Sequence, residues 1–526
     1  MQKLPIGIQS FEKIREGNYF YVDKTEKILQ LIENGECYFL SRPRRFGKSL
    51  TLSTLEAMFQ GKVELFKGLY AEEWVKEQAK NPNPVIKIDM SSLGAYESEK
   101  ELKIALLDCL NEIIDDYNLN VELKENPSRI LLKIIKKLYK QFGSVVVLID
   151  EYDKPITDNL NDLEKAEKMR ETLHLFYIVL KGCPYIKFVM VTGVSKFTKV
   201  GVLSGLNNLN DISMDEAYGD IVGYTQKELE DNFGEWIEKA SKKLSMNREE
   251  LLNKIKEYYD GFSFDGETRV YNPFSVLNFF DKNRFKNYWY VSGSPTFLRN
   301  YLLNHRIKNP DKYEEMTVAE NFADKREIES ASVESFLYQA GYLTIKKWLR
   351  NELVLGYPNE EVRSSLADMY LDDIYRIEGY ITLGNEIWKA LEDDNTENLI
   401  KSFNLAIAGL PYDDFKDRSE FWYRSMFVML LRGAGVIYYA EVHTYKGRPD
   451  VVIVFKNKVV VIEFKLAINS SEVDKKRREG LEQILSRDYS SAYLNTSSFI
   501  NEGEKKQKKV INLVLVADDE KRQLIL

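Results

Sequence analysis

The feature that most restricts the fold of this chain is Val145-Val146-Val147-Leu148-Ile149, an unbroken apolar run that ends in Asp150-Glu151. A strand with one face in water alternates apolar and polar residues, whereas a strand covered on both faces of a parallel sheet reads as continuous apolar sequence. Its two acids then lie at the carboxyl edge of the sheet, where open α/β folds bind their ligands. Three further segments supply neighbours. Cys37-Tyr38-Phe39-Leu40 reads as a strand and passes through Ser41-Arg42-Pro43-Arg44-Arg45-Phe46-Gly47-Lys48-Ser49 into the helical stretch Leu50 to Leu55. Val85 to Asp89 can open an intervening βα unit, and Phe188 to Val191 ends in Thr192-Gly193-Val194-Ser195.

Strand, loop and helix in that order make a phosphate-binding arrangement. Backbone N–H groups of Arg44, Arg45, Phe46 and Gly47 and the helix N-terminus face phosphate oxygens, Lys48 reaches the terminal phosphates, and the Ser49 hydroxyl meets Mg2+. In an ATPase of this kind Asp150 would hold Mg2+ through water and Glu151 would polarise the attacking water. Thr192 and Ser195 would sit as polar sensors beside the γ-phosphate. The general pattern G-x-x-x-x-G-K-[ST] fails at one position, because Arg42 stands where its first Gly belongs. An ordinary α/β domain with acids at its strand ends is the bland alternative; the order of loop, acidic strand and polar-tipped strand favours ATP.

Near the end of the chain, Pro449-Asp450 is followed after twelve residues by Glu463-Phe464-Lys465. The apolar runs Val451 to Phe455 and Val459 to Ile462 flank Lys456-Asn457-Lys458, which reads as a hairpin turn. A turn centred on Lys456 and Asn457 sets Asp450 opposite Glu463, with Lys465 on the same face because side chains alternate along a strand. Like charges directly opposite are destabilising in a sheet, and a divalent cation with oxygen ligands offsets that repulsion. E-x-K is also common in a chain that is 30% charged, so a plain strand end is the competing reading.

These residues resemble the PD-(D/E)XK nuclease superfamily. The resemblance implies that Asp450 and Glu463 hold Mg2+ and that Lys465 orients the attacking water or stabilises developing phosphate charge. Glu441 is a further candidate ligand: the strand Val436 to Tyr445, turning at Lys446-Gly447, would set His443 beside Asp450 and Glu441 on the same face. Glu420, on an apparent helix before that strand, competes for the role, and the sequence leaves the choice open.

The N-terminal half resembles the AAA-ATPase-like family of prokaryotic proteins. The likeness is carried by Gly7-Ile8-Gln9-Ser10-Phe11, Tyr21-Val22-Asp23-Lys24-Thr25, Arg42 to Ser49, Leu148 to Pro155 and Thr192 to Phe197. It extends through Asn207-Asn208, Gly223-Tyr224-Thr225, Tyr259 to Phe262 and Tyr271-Asn272-Pro273. In that family Arg at the first loop position is usual, so the departure at Arg42 is a family trait. Members commonly carry a C-terminal PD-(D/E)XK domain, matched here by Gly447 to Asp450, Ile462 to Leu466, and Gln483 with Tyr489.

With 526 residues the chain has room for about three to four domains. Its three cysteines, Cys37, Cys109 and Cys183, are far apart and fit neither a disulfide framework nor a C-x-x-C zinc site, so a reducing, cytoplasmic setting is expected. No run approaches the ~18 apolar residues of a membrane span, and no membrane partner is expected. The net charge of −8 argues against nonspecific coating of nucleic acid, since that binding is mainly phosphate neutralisation by Lys and Arg. Contact with DNA would be local. Lys475-Lys476-Arg477-Arg478 is a candidate for it, or simply a solvated helix face. With only His174, His305 and His443, a His-rich metal centre is not expected.

The middle of the chain is less informative. A helix over Val333 to Gln339, a break at Gly341, a hairpin from Tyr342 to Leu355 and a helix from Glu360 to Tyr375 allow either a winged-helix module or a packing connector. The expected division is a P-loop ATPase domain with a parallel sheet over residues 1–205, a helical lid over 206–300, a helical or winged connector over 301–410 and a restriction-endonuclease-like α/β domain over 411–526. The expected function is ATP binding and hydrolysis joined to Mg2+-dependent cleavage of nucleic acid, with DNA the expected partner and a homo-oligomer left open. The competing readings are a regulatory ATPase whose nuclease fold binds nucleic acid without cutting it, and a nucleotide-gated defence effector.

Overall fold

A computed structural model describes residues 1–94, 96–160, 162–196, 201–203, 208–293, 313–322, 332–410, 419–435, 439–440, 449–455, 458–487, 489 and 509–525. The described residues form two compact units, the first reaching Val362 and the second starting at Arg363. Residues 313–322 and 332–362 fall within the first.

The first unit is built on five parallel strands, β1 (Cys37–Ser41), β2 (Val85–Asp89), β3 (Val145–Asp150), β4 (Ile186–Gly193) and β5 (Asn210–Asp211), in the order β2-β3-β4-β1-β5. All six residues of β3 are buried, which is what its unbroken apolar sequence requires. Ile130, Ile134 and Leu138 on the helix Pro127–Phe142 pack in one core with Leu106 and Leu110 of the helix Glu99–Asp116 and with Val145, Val147 and Ile149. The helix Pro127–Phe142 starts where Asn126 accepts a hydrogen bond from the Arg129 N–H and Pro127 supplies a pre-set first turn.

The helices Gln226–Asn232, Gly234–Leu244, Arg248–Tyr259, Pro273–Lys282 and Tyr288–Gly293 follow the sheet. Reciprocal caps between Thr225 and Glu228 and between Asn247 and Glu250 begin two of them. Phe233 ties this region to the N-terminal segment, its ring lying 4.6 Å from that of Phe20 and stacked at 5.1 Å on Phe280. Next come β6 (Met316–Ala319), the helix Val333–Ala340, stopped at Gly341 with φ 91°, and the hairpin β7 (Thr344–Leu349) and β8 (Glu352–Gly356). The expected hairpin is present, and β6 adds a third strand to it in the order β6-β8-β7.

The second unit sets the helices Tyr380–Glu392, Thr396–Ala408 and Glu420–Gly433 with a mixed sheet. Its strands are β9 (Tyr439–Ala440), β10 (Val451–Val454), β11 (Lys458–Ala467), β12 (Lys509–Asp518) and β13 (Gln523–Ile525), ordered β13-β12-β11-β10-β9. Strands β11 and β12 are parallel, and the helix Val473–Ser486 lies between them in sequence and packs Val473 and Ile484 against Val461 and Val514. The buried Lys458 amine donates to the Leu391 and Glu392 carbonyls at 2.7 and 2.6 Å and pairs with Asp394, fastening the start of β11 to a helix end. Among the described residues no helix is long and apolar enough to cross a membrane.

Candidate functional site

In the first unit, the loop between β1 and the helix Lys48–Phe59 curls around the helix N-terminus. Gly47 takes φ 103° and Arg45 φ 68°, two positive-φ positions that turn the loop tightly before the helix. Lys48 is buried, and its amine donates to the Arg42 and Pro43 carbonyls at 2.9 and 3.0 Å, folding the side chain back across the loop. Burial lowers the Lys48 pKa from its ordinary value, while Glu151, Asp150 and Asp153 pull it up. Burial raises the Glu151 pKa, opposed by Lys48 and, more weakly, by Arg44. Glu151 also holds φ 48°, an unusual conformation for a non-glycine residue and one that recurs at functional sites.

These groups face a cleft of about 280 Å³. Arg44, Arg45, Gly47, Lys48, Ser49 and Glu151 are among its lining residues. Ile8, Gln9, Tyr224, Pro273, Phe274 and Leu277 also line it and add mostly apolar surface, of the kind a nucleotide base packs against. The guanidinium of Arg45 lies 5.0 Å from the centre of the Phe274 ring. Spacing arguments missed this surface, although Gly7-Ile8-Gln9, Tyr224 and Pro273 belong to the segments that carry the family likeness.

The other expected nucleotide residues stand behind that surface. Asp150 is buried and accepts hydrogen bonds from the Thr192 hydroxyl at 2.6 Å and the Glu151 N–H at 3.0 Å. The Ser195 hydroxyl and N–H both donate to Asp153, so Ser195 fixes that carboxylate and the turn around it. Phe46 packs its ring on Phe262 and Phe264 at 4.8 and 5.5 Å, and the side chain is part of the core. Arg42 is also buried; it donates to the Ser41 and Ser213 carbonyls at 2.9 and 2.6 Å and lies 4.1 Å over Phe264. Phe197 and Asn207 lie outside the described residues.

In the second unit, β10 and β11 pair Val451 with Ile462 and Val454 with Val459, the register expected from the turn. Asp450 and Glu463 are the next positions outward, and Asp450 Oδ2 accepts the Phe464 N–H at 2.7 Å. Glu463 is only 2% exposed; its Oε1 accepts from Lys465 Nζ at 2.9 Å and from the Gln483 amide. Glu463 Oε2 is buried with no hydrogen-bond partner. Burial first, then the Asp450 charge, push the Glu463 carboxyl up to about 7, against the hydrogen bond from Lys465. Burial would lower the Lys465 pKa, but Glu463, Glu420 and Asp450 outweigh it and leave the amine above its ordinary value.

Glu420, in the first turn of the helix Glu420–Gly433, reaches the same place. Its Oε1 lies 3.4 Å from Lys465 Nζ and its Oε2 accepts the Leu466 N–H at 3.2 Å. From the same helix, Arg424 Nη1 donates to Asp450 Oδ1 at 3.3 Å. Glu441 and His443 lie outside the described residues. The strand before them needs a correction: the expected turn would set Val442 opposite Val451, whereas Val451 faces Ala440 and Val452 faces Tyr439. This shift of two residues preserves which side chains share a face. Among the described residues, no three His, Cys, Asp or Glu side chains are gathered as a ready metal cage. Two facing carboxylates with one orphaned oxygen nevertheless fit Mg2+, which keeps most of its ligand positions for water and substrate oxygens. The basic run on the helix Val473–Ser486 is largely paired within that helix, Lys476 with Glu479 at 2.8 Å and Arg477 with Asp474 at 3.6 Å.

Comparison with known proteins agrees with this layout. Residues 5–203 match the family described as predicted AAA-ATPase, and residues 418–525 match the PD-(D/E)XK nuclease superfamily. A protein of Azotobacter chroococcum mcd 1, described as an uncharacterized protein in the vnfD 5′ region, is 37% identical over 482 residues, covering 88% of this chain and 89% of that one. Two solved structures are only slightly similar. The Aeropyrum pernix Orc1 protein in complex with DNA has a TM-score of 0.25 at 12% identity, over 66% of this chain and 93% of that one. Cdc6p from Pyrobaculum aerophilum has a TM-score of 0.27 at 13% identity, over 66% of this chain and 95% of that one. The full-length relative and the two matched segments together establish that the chain belongs to the family of predicted AAA-ATPases with a C-terminal domain of the PD-(D/E)XK nuclease superfamily.

Proposed function

We propose that the chain binds and hydrolyses ATP in its first unit and cleaves nucleic acid, with DNA the expected substrate, in its second. The division into residues 1–205, 206–300, 301–410 and 411–526 is part of the same reading. The observation that carries the nuclease reading is Glu463 Oε2, a buried carboxylate oxygen without a partner beside the Asp450 carboxylate. An orphaned buried acceptor is costly, and a bound cation or water beside the second carboxylate would satisfy it.

In this reading Asp450 and Glu463 hold Mg2+, with Glu420 or Glu441 completing the set. The bound ion would supply Lewis-acid stabilisation and a lowered pKa for attacking water. Lys465 keeps its charge beside them and supplies positive charge where the transition state becomes more negative. In the first unit the Lys48 amine exchanges the Arg42 and Pro43 carbonyls for phosphate oxygens. Ser49 and Asp150 serve Mg2+, Glu151 orients water, and Thr192 holds Asp150 in place.

Cleavage of linear, circular and single-stranded DNA and of RNA, with and without Mg2+, Mn2+ and ATP, tests the second unit. Asp450→Ala and Glu463→Ala should lose metal-dependent cleavage, and Lys465→Ala should lose cleavage yet retain metal; undiminished cutting by all three removes the proposed site. In the first unit Lys48→Ala should lose ATP binding by calorimetry. Glu151→Gln should bind ATP and release phosphate about 10²- to 10⁴-fold more slowly, the span expected for removal of a general base. Absence of ATP binding by the unmodified protein in Mg2+ would overturn the nucleotide reading.

A further inference from the structure

The facing carboxylates have four oxygens between them, and three are engaged. Asp450 Oδ2 is held by the backbone N–H of Phe464, Glu463 Oε1 by Lys465 and Gln483, and Asp450 Oδ1 by Arg424. Glu463 Oε2 is the orphan. A cation shared by the two acids would use Glu463 Oε2 and, of the two Asp450 oxygens, the more weakly held Oδ1, whose contact is a side-chain one at 3.3 Å, whereas Oδ2 accepts a backbone N–H at 2.7 Å. Asp450 Oδ1 is the oxygen that Arg424 occupies.

Arg424 is built into this position. Its side chain is 10% exposed, it projects from the buried helix Glu420–Gly433, and its guanidinium lies 4.5 Å from the centre of the Phe421 ring. The contact with Asp450 is long for a charge-assisted hydrogen bond, 3.3 Å against the usual ~2.7–2.9 Å. Arginine is the side chain best suited to exchange such a contact for a phosphate, since its planar fork matches carboxylate and phosphate alike.

We propose that Arg424 is the resident counter-ion of the nuclease site, that it competes with the divalent cation for Asp450 Oδ1, and that metal binding releases its guanidinium toward the phosphate of the substrate. This rests on the reading of Asp450 and Glu463 as metal ligands. Without metal, Arg424 on Asp450 and Lys465 on Glu463 together offset the repulsion of the facing acids; with metal, the cation takes over the part of Arg424. Arg424 is thus a positioning residue that sets metal affinity and binds substrate only after the exchange.

The test is calorimetric titration of the full-length protein with Mn2+, without nucleic acid or nucleotide, alongside melting curves with and without Mn2+. Arg424→Met, which keeps the apolar stem and removes the charge and its donors, should bind Mn2+ at least about fivefold more tightly than the unmodified protein, in the lower range of typical site couplings. Its metal-free melting temperature should fall and its Mn2+-induced rise should be larger. Arg424→Lys, which keeps the charge, should stay within about twofold of the original affinity, well under the couplings typical of linked sites. Should Arg424→Met not fold, Arg424→Gln, which retains a neutral donor, should still tighten Mn2+ binding. Equal or weaker Mn2+ affinity in the uncharged variants overturns this inference while leaving the metal site intact. If the unmodified protein binds no Mn2+, or binds it no better than Asp450→Ala, the metal-site reading fails and the inference with it.

Discussion

Arg42 shows how one residue can mislead a pattern and still be explained by its surroundings. In the general phosphate-loop pattern its position belongs to glycine, for a tight turn. Here the turn is closed differently. The buried guanidinium reaches the Ser213 carbonyl at 2.6 Å and the Tyr218 carbonyl at 3.3 Å, so the side chain ties the loop to the segment after β5 and the tight-turn role moves to Arg45 and Gly47. Arg42→Gly would restore the letter of the pattern and should destabilise the first unit by about 2–4 kcal/mol, since it strands buried carbonyls and opens a cavity beside Phe264. A melting temperature unchanged in Arg42→Gly would show that the tether contributes nothing. The residue types at the site were legible in sequence because Gly-Lys-Ser and the paired acids carry chemistry in their letters. The roles of Ser195 and Arg424 were not, because each depends on which partner the fold brings: Asp153 in one case, Asp450 in the other.

At the scale of elements, legibility followed burial. Strand β3 appears as an unbroken apolar run because it is buried along its whole length, and the β10–β11 register followed from a short turn whose length fixes the pairing. The β9–β10 register did not follow, since a Lys-Gly pair inside a longer connection does not fix how many residues the connection spends. Strand β6 was missed because its side chains alternate between half-buried and exposed over four residues. The helix Glu360–Met369 carries a feature without any sequence signal: Glu361, fully buried, accepts from the Ser275 hydroxyl at 2.7 Å and from the Trp289 N–H at 2.9 Å. Burial pushes its carboxyl up to about 8 against these donors, and Tyr259 and Tyr288 are the titratable groups near it. A group held protonated in the folded state contributes stability below its unfolded pKa and loses it as pH rises toward the folded value. The Glu361 contribution should thus be full near pH 4.5 and gone by about pH 8. Glu361→Gln should melt close to the unmodified protein at pH 5 and above it at pH 8, by an amount on the order of a few kcal/mol at most. A constant difference between the two proteins across that range would show that Glu361 does not titrate in the folded chain.

For the whole molecule the question is whether nucleotide in one unit is felt in the other. A continuous set of bonds leads away from the phosphate loop: the Trp289 indole N–H donates to the Arg44 carbonyl at 3.2 Å, and the Trp289 backbone N–H donates to Glu361. Glu361 opens the helix Glu360–Met369, within which the division between the units falls, at Val362 and Arg363. A ligand shifts an equilibrium only through its differential affinity for the two states, so ATP must bind the active and resting arrangements unequally if it governs cleavage. The expected outcome is a nuclease rate on long duplex DNA that differs at least about fivefold between ATP-bound and nucleotide-free protein, within the ~5- to 150-fold that couplings of ~1–3 kcal/mol produce. Lys48→Ala should lose that response because its loop no longer grips the phosphates. Equal rates with no nucleotide, ATP, ADP and a slowly hydrolysed analogue, together with a response-free Lys48→Ala that cuts like the unmodified protein, would mean that the two sites share a chain without sharing an equilibrium.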